Sequence, residues 1–320
     1  MDTPHKVSFC ITCKGRLEHL RQTLPVNLRN NPDAEFVVLD YGSEDGLENW
    51  MKENCRAEID SKKIRYAKVE PKDAPNFRFA HAKNMAHRLA TGDIVCNLDA
   101  DNIAGPGFAG WLVEQFSKPK DPGIPGIYVR PQRRTQLAKG LTDQTGKLAM
   151  RAVKSTGLLS RAESPYADMP ISPFMTGAAG RIAILKEDFV RLRGYAEHFD
   201  RWGGEDGNLD SRAHKAGLIC FNVPYTLMGA VLEHSDAERT KHLTEDQQTP
   251  VNERLASRHT LLGAWNRVSN KWRRMPEEPR VANPDGQCGC GKVALNFGEE
   301  EITIPSLARV AATEPGGPSR

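Results

Sequence analysis

Residues 94–102 read Ile-Val-Cys-Asn-Leu-Asp-Ala-Asp-Asn, an apolar run of strand length that ends abruptly in the carboxylates of Asp99 and Asp101. Three strand-breaking residues follow at positions 105–107, so the acidic pair is predicted to lie in a loop directly after a strand. Side chains at positions i and i+2 share one face of an extended segment, and two oxygen ligands at this spacing suit Mg²⁺ or Mn²⁺. Taken alone, an Asp-x-Asp sequence is more typical of an ordinary turn than of a metal site.

The length and composition are those of an ordinary globular protein. The 320 residues are 39% hydrophobic and 27% charged, which suffices for one large core or two smaller ones. The formal net charge of +3 is too small to favour nucleic acid or an anionic membrane as a partner. No apolar run approaches the ~18 residues of a membrane span, and no apolar signal segment opens the sequence. We therefore expect a cytoplasmic protein without a transmembrane segment, and the odd number of seven cysteines favours reduced thiols.

Strand-like and helix-like segments alternate over the first 120 residues. The predicted strands are residues 6–13, 36–39, 64–69 and 94–98, and the predicted helices are residues 17–28, 47–51 and 81–90. This alternation predicts an α/β fold with a mostly parallel central sheet and helices on both faces. Such sheets bind ligands outside the carboxyl ends of their strands, where Thr12, Asp40 and Asp99 are all expected.

The alternating pattern fades between residues 131 and 161. Seven Lys and Arg residues stand there against one acid, Asp143, which gives a local balance of 7 − 1 = +6. The favoured interpretation is a solvated, mobile loop. The functional alternative is a lid, or a surface that binds an anionic acceptor.

The second half of the chain contains three short motifs whose roles the residues alone leave open. Gly177 and Gly180 permit the close approach of a ligand or of a neighbouring group. Trp202-Gly203-Gly204-Glu205-Asp206 opens a predicted helix, where two acids can also simply satisfy the helix dipole. His234 follows two predicted strands, and a lone histidine in such a place is more often structural than a ligand.

The composition changes beyond residue 250. A helix is predicted to about residue 271, and six prolines then punctuate residues 273–320, which we interpret as an irregular, loosely packed extension with a disordered end. Cys288 and Cys290 are separated by one residue, the shortest spacing between any two cysteines of the sequence. A zinc site would need a second pair or histidines at matching spacing, and none follows.

Several motifs, in one order along the chain, resemble known families. The first half resembles the family 2 glycosyltransferases of the GT-A fold in the Thr12/Arg16 opening, residues 39–43 (Leu-Asp-Tyr-Gly-Ser), residues 82–86 (Ala-Lys-Asn-Met-Ala), Gly92-Asp93 and Asp99-Ala100-Asp101. The second half resembles the C-terminal region of the β-1,4-galactosyltransferases at residues 177–180, 186–189, 194–195, 202–206 and 234–235. The resemblance covers roughly residues 5–260, and residues 202–206 are its most specific part.

The resemblance implies a role for each matching residue. Asp40 would contact the nucleotide base, Asp99 the ribose or the metal, and Asp101 and His234 would bind Mn²⁺ or Mg²⁺. The segments along the nucleotide sugar would include Thr12, Arg16, Arg78, Lys83, Asn84 and Gly180. Asp206 would be the catalytic base, Glu205 an acceptor contact, and Trp202 a wall of the acceptor pocket.

The chain accordingly divides into a nucleotide-sugar-binding half (1–130), a basic loop or lid (131–170), an acceptor-binding and catalytic half (171–272) and an irregular extension (273–320). Two residues depart from the families it resembles. Val231 stands where the animal galactosyltransferases have a methionine metal ligand, and valine cannot ligate. Lys83 replaces an arginine common in family 2, so a point charge replaces a bidentate phosphate contact.

The resemblance implies an inverting, metal-dependent transferase that moves galactose, GalNAc or glucose from a UDP-sugar to an acceptor hydroxyl. Such a reaction needs a cation at the developing charge of the β-phosphate and a carboxylate that accepts the hydroxyl proton. The alternatives are a retaining GT-A transferase, a nucleotidyltransferase, or a non-catalytic sugar-binding relative. The acceptor stays open between a carbohydrate, a lipid-linked glycan, a soluble metabolite, a protein and DNA.

Overall fold

The computed structural model is organised around one large sheet. It describes residues 5–119, 122–131, 180–199, 203–235 and 281–308, with the single residues Met169, Glu238 and Gln248. The strands are β1 (Val7–Cys13), β2 (Glu35–Tyr41), β3 (Ile64–Val69), β4 (Ile94–Asn97), β5 (Asn102–Ile103), β6 (Ile127–Arg130), β7 (Ala183–Leu185), β8 (Ile219–Asn222), β9 (Ala230–Val231), β10 (Gly291–Leu295) and β11 (Glu300–Ile304). The helices are α1 (Leu17–Asn30), α2 (Leu47–Asn54), α3 (Arg56–Asp60), α4 (Phe79–Leu89), α5 (Phe108–Ser117), α6 (Lys186–Arg191) and α7 (Glu205–Lys215).

The described strands form a nine-stranded sheet in the order β11-β10-β3-β2-β1-β4-β7-β6-β8, and β5 pairs with β9 in a separate small ladder. Strands β3, β2, β1 and β4 are mutually parallel. Only β7 and β10 run against the common direction, because β7 is antiparallel to β4 and β6 while β10 is antiparallel to β3 and β11. The predicted α/β fold with a mostly parallel central sheet is therefore confirmed.

Both faces of the central strands are covered. Every residue of β1 and β2 is buried, as expected of parallel strands packed between two layers of helices. The alternation of side chains sends Phe9 into a core with α1, α2 and α5, and Cys10 into a second core with α4, α6 and α7. This double burial fixes the carboxyl ends of β1, β2 and β4 along one edge, where the polar motifs follow.

Residues 291–304 contradict the expectation of an irregular extension. They form a hairpin of β10 and β11, and β10 continues the sheet beyond β3, with Ala294 opposite Lys68. Val293 and Leu295 are 1% and 2% exposed. The prolines around this segment suggested an irregular chain, but an alternation of period two buries one face of a strand and decides the local structure.

Several expectations concern parts of the chain outside the described residues. These are Gly177, Trp202, nearly all of the basic segment from residue 131 to 161, the helix predicted up to residue 271, and the end of the chain beyond residue 308. Among the helices that the structure describes, none is long and apolar enough to cross a membrane.

Replacing Leu295 by alanine tests whether the C-terminal hairpin belongs to the folded core. The side chain is 2% exposed, so Leu295→Ala should lower the free energy of unfolding by ~2–5 kcal/mol, measured by urea denaturation. Glu301→Ala is the control on the same hairpin, because the Glu301 side chain is 68% exposed and should change stability by no more than about 0.5 kcal/mol. Equal, small effects of both substitutions would mean that the hairpin does not pack on the sheet.

Candidate active site

The carboxyl ends of β1 and β2 form a rim that is held together by hydrogen bonds. Asp40 is 0% exposed and accepts hydrogen bonds from the Ser43 amide at 2.7 Å and from the Tyr66 hydroxyl at 2.8 Å. Burial raises the pKa of this carboxyl, although both hydrogen bonds favour its charged form. Thr12 is also buried, at 8% exposure. Asp40, which is predicted to contact the nucleotide base, is thus held in a fixed position at the rim.

Lys14 is a rim residue that the motif analysis did not single out. Its ammonium donates to three carbonyl oxygens, those of Tyr41 at 3.2 Å, Gly42 at 3.0 Å and Ala74 at 2.7 Å. These three bonds use all the donors of the ammonium, and they join the end of β2 to the loop before α4. The available signal in the sequence was a lone lysine directly after an apolar strand.

Asp99 and Asp101 face different partners. Asp99 accepts a hydrogen bond from Asn97 Nδ2 at 3.0 Å. Asp101 Oδ2 lies 2.7 Å from His234 Nε2 and 3.3 Å from Arg16 Nη2. Burial disfavours the charged form of Asp101, but the His234 hydrogen bond and the Arg16 charge outweigh it and lower its pKa to about 2.

The small β5–β9 ladder brings His234 to the acidic loop. Asn102 pairs with Val231, and the Leu232 amide donates to the Asp101 carbonyl at 2.8 Å. Three residues after Val231, the histidine therefore reaches the Asp101 carboxylate. Val231 itself is 1% exposed and belongs to the core, so this valine has a packing role.

Asp101 and His234 together are suitable ligands for a divalent cation whose other ligands are mostly waters or phosphate oxygens. A carboxylate oxygen and a neutral imidazole are suitable protein ligands for Mn²⁺, and Mg²⁺ usually keeps several waters or phosphate oxygens. Within the described parts of the chain, no three His, Cys, Asp or Glu side chains gather closely enough to bind a metal ion. Asp101 and His234 are thus brought together as predicted, whereas Asp99 does not join them in one cluster.

His19 is a second residue that the motifs did not indicate. Its ring meets the His234 ring edge-on with centroids 5.6 Å apart, and its Nε2 is 3.9 Å from Glu238 Oε1. Burial, with the nearby charge of Arg16, lowers the pKa of His19 to about 4. The imidazole is therefore neutral at pH 7 and packs behind His234.

Lys83 joins the two acids at the start of α7. Its Nζ lies 2.9 Å from Glu205 Oε1 and 2.7 Å from Asp206 Oδ1. Side-chain exposure is 4% for Lys83, 5% for Glu205 and 27% for Asp206, so only Asp206 is open to solvent. Burial, with the charges of Glu205 and Asp99, raises the pKa of Asp206 to about 7 against the opposing charge of Lys83.

Gly180 leaves room for the Asp206 carboxylate. A Cβ atom built on Gly180 would lie 2.7 Å from Asp206 Oδ2, closer than real Cβ atoms approach other heavy atoms. The Asn97 amide donates to the Gly180 carbonyl at 3.1 Å as well as to Asp99. Asn97, a polar residue at the end of an apolar strand, thus connects the acidic loop to the surroundings of Asp206.

Two other residues that are predicted to contact the sugar donor differ in how accessible their side chains are. Asn84 is 0% exposed, and its amide bonds with the backbone of Tyr195 and with Glu197. Arg78 has a side chain that is 51% exposed and lies 3.5 Å from Glu197. The Asn84 amide is therefore used within the protein, whereas the Arg78 guanidinium stays accessible at the surface.

Two family models match parts of this chain. Residues 8–166 match the model for glycosyl transferase family 2, and residues 162–242 match a model described as the N-terminal domain of galactosyltransferase. The matched ranges contain both Asp101 and Asp206, and they end before the C-terminal hairpin.

Two curated proteins are similar over part of their length. The hyaluronan synthase of Pasteurella multocida is 28% identical over 230 residues, which cover 66% of this chain and 23% of that protein. The validoxylamine A glucosyltransferase of Streptomyces hygroscopicus subsp. jinggangensis (strain 5008) is 26% identical over 226 residues, which cover 66% of this chain and 52% of that protein. The chain thus spans about a quarter and about half of the length of these relatives.

Two solved structures are similar at lower identity. A mannosyltransferase from Pyrobaculum calidifontis, in complex with GDP-Man and Mn²⁺, has a TM-score of 0.48 at 18% identity and covers 78% of this chain and 65% of its own. A Drosophila β-1,4-galactosyltransferase 7, in complex with manganese, UDP-Gal and xylobiose, has a TM-score of 0.40 at 13% identity and covers 75% of this chain and 76% of its own.

Placing a methyl group on Gly180 tests the contact with Asp206. Gly180→Ala should lower the free energy of unfolding by ~1–3 kcal/mol, because the new Cβ overlaps a carboxylate held by Lys83. Gly110→Ala is the matched control: it lies in α5 with nothing within 4 Å of the added Cβ, and should stabilise the protein by ~0.5–1 kcal/mol. Equal stability of the two variants in urea unfolding would contradict the close contact.

Proposed function

Since residues 8–166 match the model for glycosyl transferase family 2 and residues 162–242 match a galactosyltransferase model, we propose that this chain transfers a hexose from a UDP-sugar to an acceptor hydroxyl with inversion at the anomeric carbon. The sugar would be galactose, GalNAc or glucose. The observation that carries the proposal is Asp206, an acid at the start of a helix that is partly open to solvent and has a pKa of about 7.

Asp206 has the properties that a general base for this reaction needs. A base works best when its pKa lies near the working pH, because it is then both ionised and able to hold a proton. In the proposed step the acceptor oxygen bonds to the anomeric carbon while its proton passes to Asp206. The bond from that carbon to the β-phosphate oxygen breaks, and UDP leaves with the electron pair.

The donor side of the proposed site consists of the rim and the acidic loop. Asp101 and His234 would hold Mn²⁺ or Mg²⁺, and the bound cation would stabilise the negative charge that develops on the β-phosphate. Thr12 and Asp40 would contact the nucleoside, with Asp99 near the ribose or the metal. Arg16 and the accessible Arg78 are the cations that we assign to the donor phosphates.

The acceptor side of the proposed site is built on Glu205. Glu205 Oε2 is buried and has no hydrogen-bond partner among the described residues. A buried acceptor atom without a partner is costly, and a hydroxyl of the acceptor would supply the missing donor. We therefore propose that Glu205 binds the acceptor, which is a carbohydrate, a lipid-linked glycan or another hydroxyl compound. Trp202 as a pocket wall and a cytoplasmic location stay predictions.

Replacing Asp206 by asparagine tests the proposed base. Asp206→Asn should lower kcat for transfer by ~10²- to 10⁴-fold and leave the Kd for UDP within about twofold, since the base acts only in the transition state. Transfer is measured with a panel of UDP-sugars and acceptors, with and without Mn²⁺, and NMR of the product should show a β linkage from the α-linked donor. The matched control is Asp60→Asn on α3, where the side chain is 57% exposed.

Two results would refute this assignment. One is an α-linked product from the wild-type protein, which would exclude inversion by a single base. The other is an Asp206→Asn variant that transfers as fast as the Asp60→Asn control.

Replacing His234 by alanine tests the proposed metal site. The protein supplies few ligands, so the loss of one should raise the Kd for Mn²⁺ in the presence of UDP by at least about tenfold. Isothermal titration calorimetry measures this affinity without turnover. His214→Ala serves as the control because His214 lies exposed on α7. Unchanged Mn²⁺ affinity in His234→Ala would exclude His234 as a ligand.

A further inference from the structure

Lys83 makes contacts that differ from those expected of a residue that binds the donor phosphates. It lies on α4, with a side chain that is only 4% exposed, and its ammonium contacts both carboxylates at the start of α7. The ring of Tyr195 covers it at 5.2 Å from the ring centroid. These contacts surround the ammonium and turn it towards the proposed base.

We propose that Lys83 is a positioning residue, whose ammonium fixes the carboxylates of Glu205 and Asp206 and keeps the proposed base in its charged form. This inference rests on the proposed function, because it assigns to Lys83 a task in the proton transfer to Asp206. It also differs from the role that the family resemblance implies, which is a contact with the nucleotide sugar.

The charges around Asp206 explain why one cation has this effect. Asp99 reaches the site from the acidic loop and Glu205 lies beside Asp206 on α7, and both raise the pKa of Asp206. Tyr195 faces the same cluster from the loop after α6, as a neutral ring. Among the described residues, Lys83 alone forms an ion pair with Asp206. Removing the ammonium would leave Glu205 and Asp206 without their ion-pair partner, and a buried unpaired charge favours protonation.

The backbone that carries Lys83 is itself held from several sides. Asn84 bonds with Tyr195, and His87 Nδ1 bonds with the Lys83 carbonyl at 2.7 Å. The Cys288–Cys290 turn packs against the same helix, where Arg88 donates to the Cys288 carbonyl at 2.8 Å. The backbone of this turn therefore helps to hold α4, the helix that carries the Lys83 ammonium.

The substitution Lys83→Met separates the two roles, because methionine keeps the volume and removes the charge. If Lys83 positions the base, the Kd for UDP should stay within about twofold, while kcat/KM at pH 7 falls by at least tenfold. The acid limb of the kcat/KM profile, near pH 7 in the wild type, should move up by at least ~1 pH unit, and Lys83→Arg should restore it to within about 0.5 unit. Arg78→Met is the contrasting variant and should weaken UDP binding without moving the acid limb.

A tenfold loss of UDP affinity in Lys83→Met with an unmoved acid limb would overturn the proposal and favour the phosphate contact. Unchanged kinetics would overturn it as well. Lys52→Met, on the exposed surface of α2, controls for the loss of a surface charge.

A second measurement uses the wild-type protein, so it requires neither catalytic turnover nor a variant that folds. In wild-type protein labelled with ¹⁵N-lysine and ¹³C-aspartate, the Lys83 ammonium signal should shift at the same pH, near 7, at which the Asp206 carboxyl titrates. Independent titration of the two signals would refute the coupling. If the wild type turns over no UDP-sugar, the proposed function fails, whereas this titration still decides whether Lys83 controls the charge of Asp206.

Discussion

The buried ion pair between Lys83 and the first turn of α7 joins the two halves of this protein. One partner lies in the range that matches the family 2 model and the other two lie in the range that matches the galactosyltransferase model, 122 and 123 positions later in the chain. A lysine that is 4% exposed needs a counter-charge, because an isolated buried ammonium is costly. The same ion pair holds Asp206, whose Oδ2 would lie 2.7 Å from a Cβ atom at residue 180. The proposed catalytic carboxylate is thus held by the same ion pair that compensates the charge of the buried ammonium.

A second link, the β5–β9 ladder, completes the other side of the site. It has only two residue pairs, yet it brings His234 against Asp101 from more than 130 positions away. Asn97 then connects the two clusters, since its amide contacts both Asp99 and the carbonyl of Gly180. A single residue at the end of β4 therefore contacts both the donor-side loop and the surroundings of Asp206.

The C-terminal segment lies outside both matched domains, yet it packs against the helix that carries Lys83. Hairpin β10–β11 covers the edge of β3, and the turn before it contacts α4 through Arg88 and through His81, whose Nε2 is 3.0 Å from the Cys290 carbonyl. Gly289 sits so close to α4 that a Cβ atom there would lie 2.6 Å from the Met85 amide nitrogen. The described part of this segment, residues 281–308, thus helps to hold α4, the helix that carries Lys83.

The sequence by itself determined the α/β layering and the rim on which Asp40 and Asp99 lie, because strand and helix periodicities are local properties of a chain. Motif order also indicated Asp101, His234 and Asp206 as site residues. Only the tertiary structure decided which of them meet: Asp101 contacts His234, Asp99 turns towards Asn97, and Lys83 pairs with the acids of α7. These contacts depend on strand order and on the burial of charge, which no local pattern records. The hairpin at residues 291–304 was not predicted, for a related reason. Its alternating pattern can be recognised as a strand only when the edge of β3, with which β10 pairs, is known.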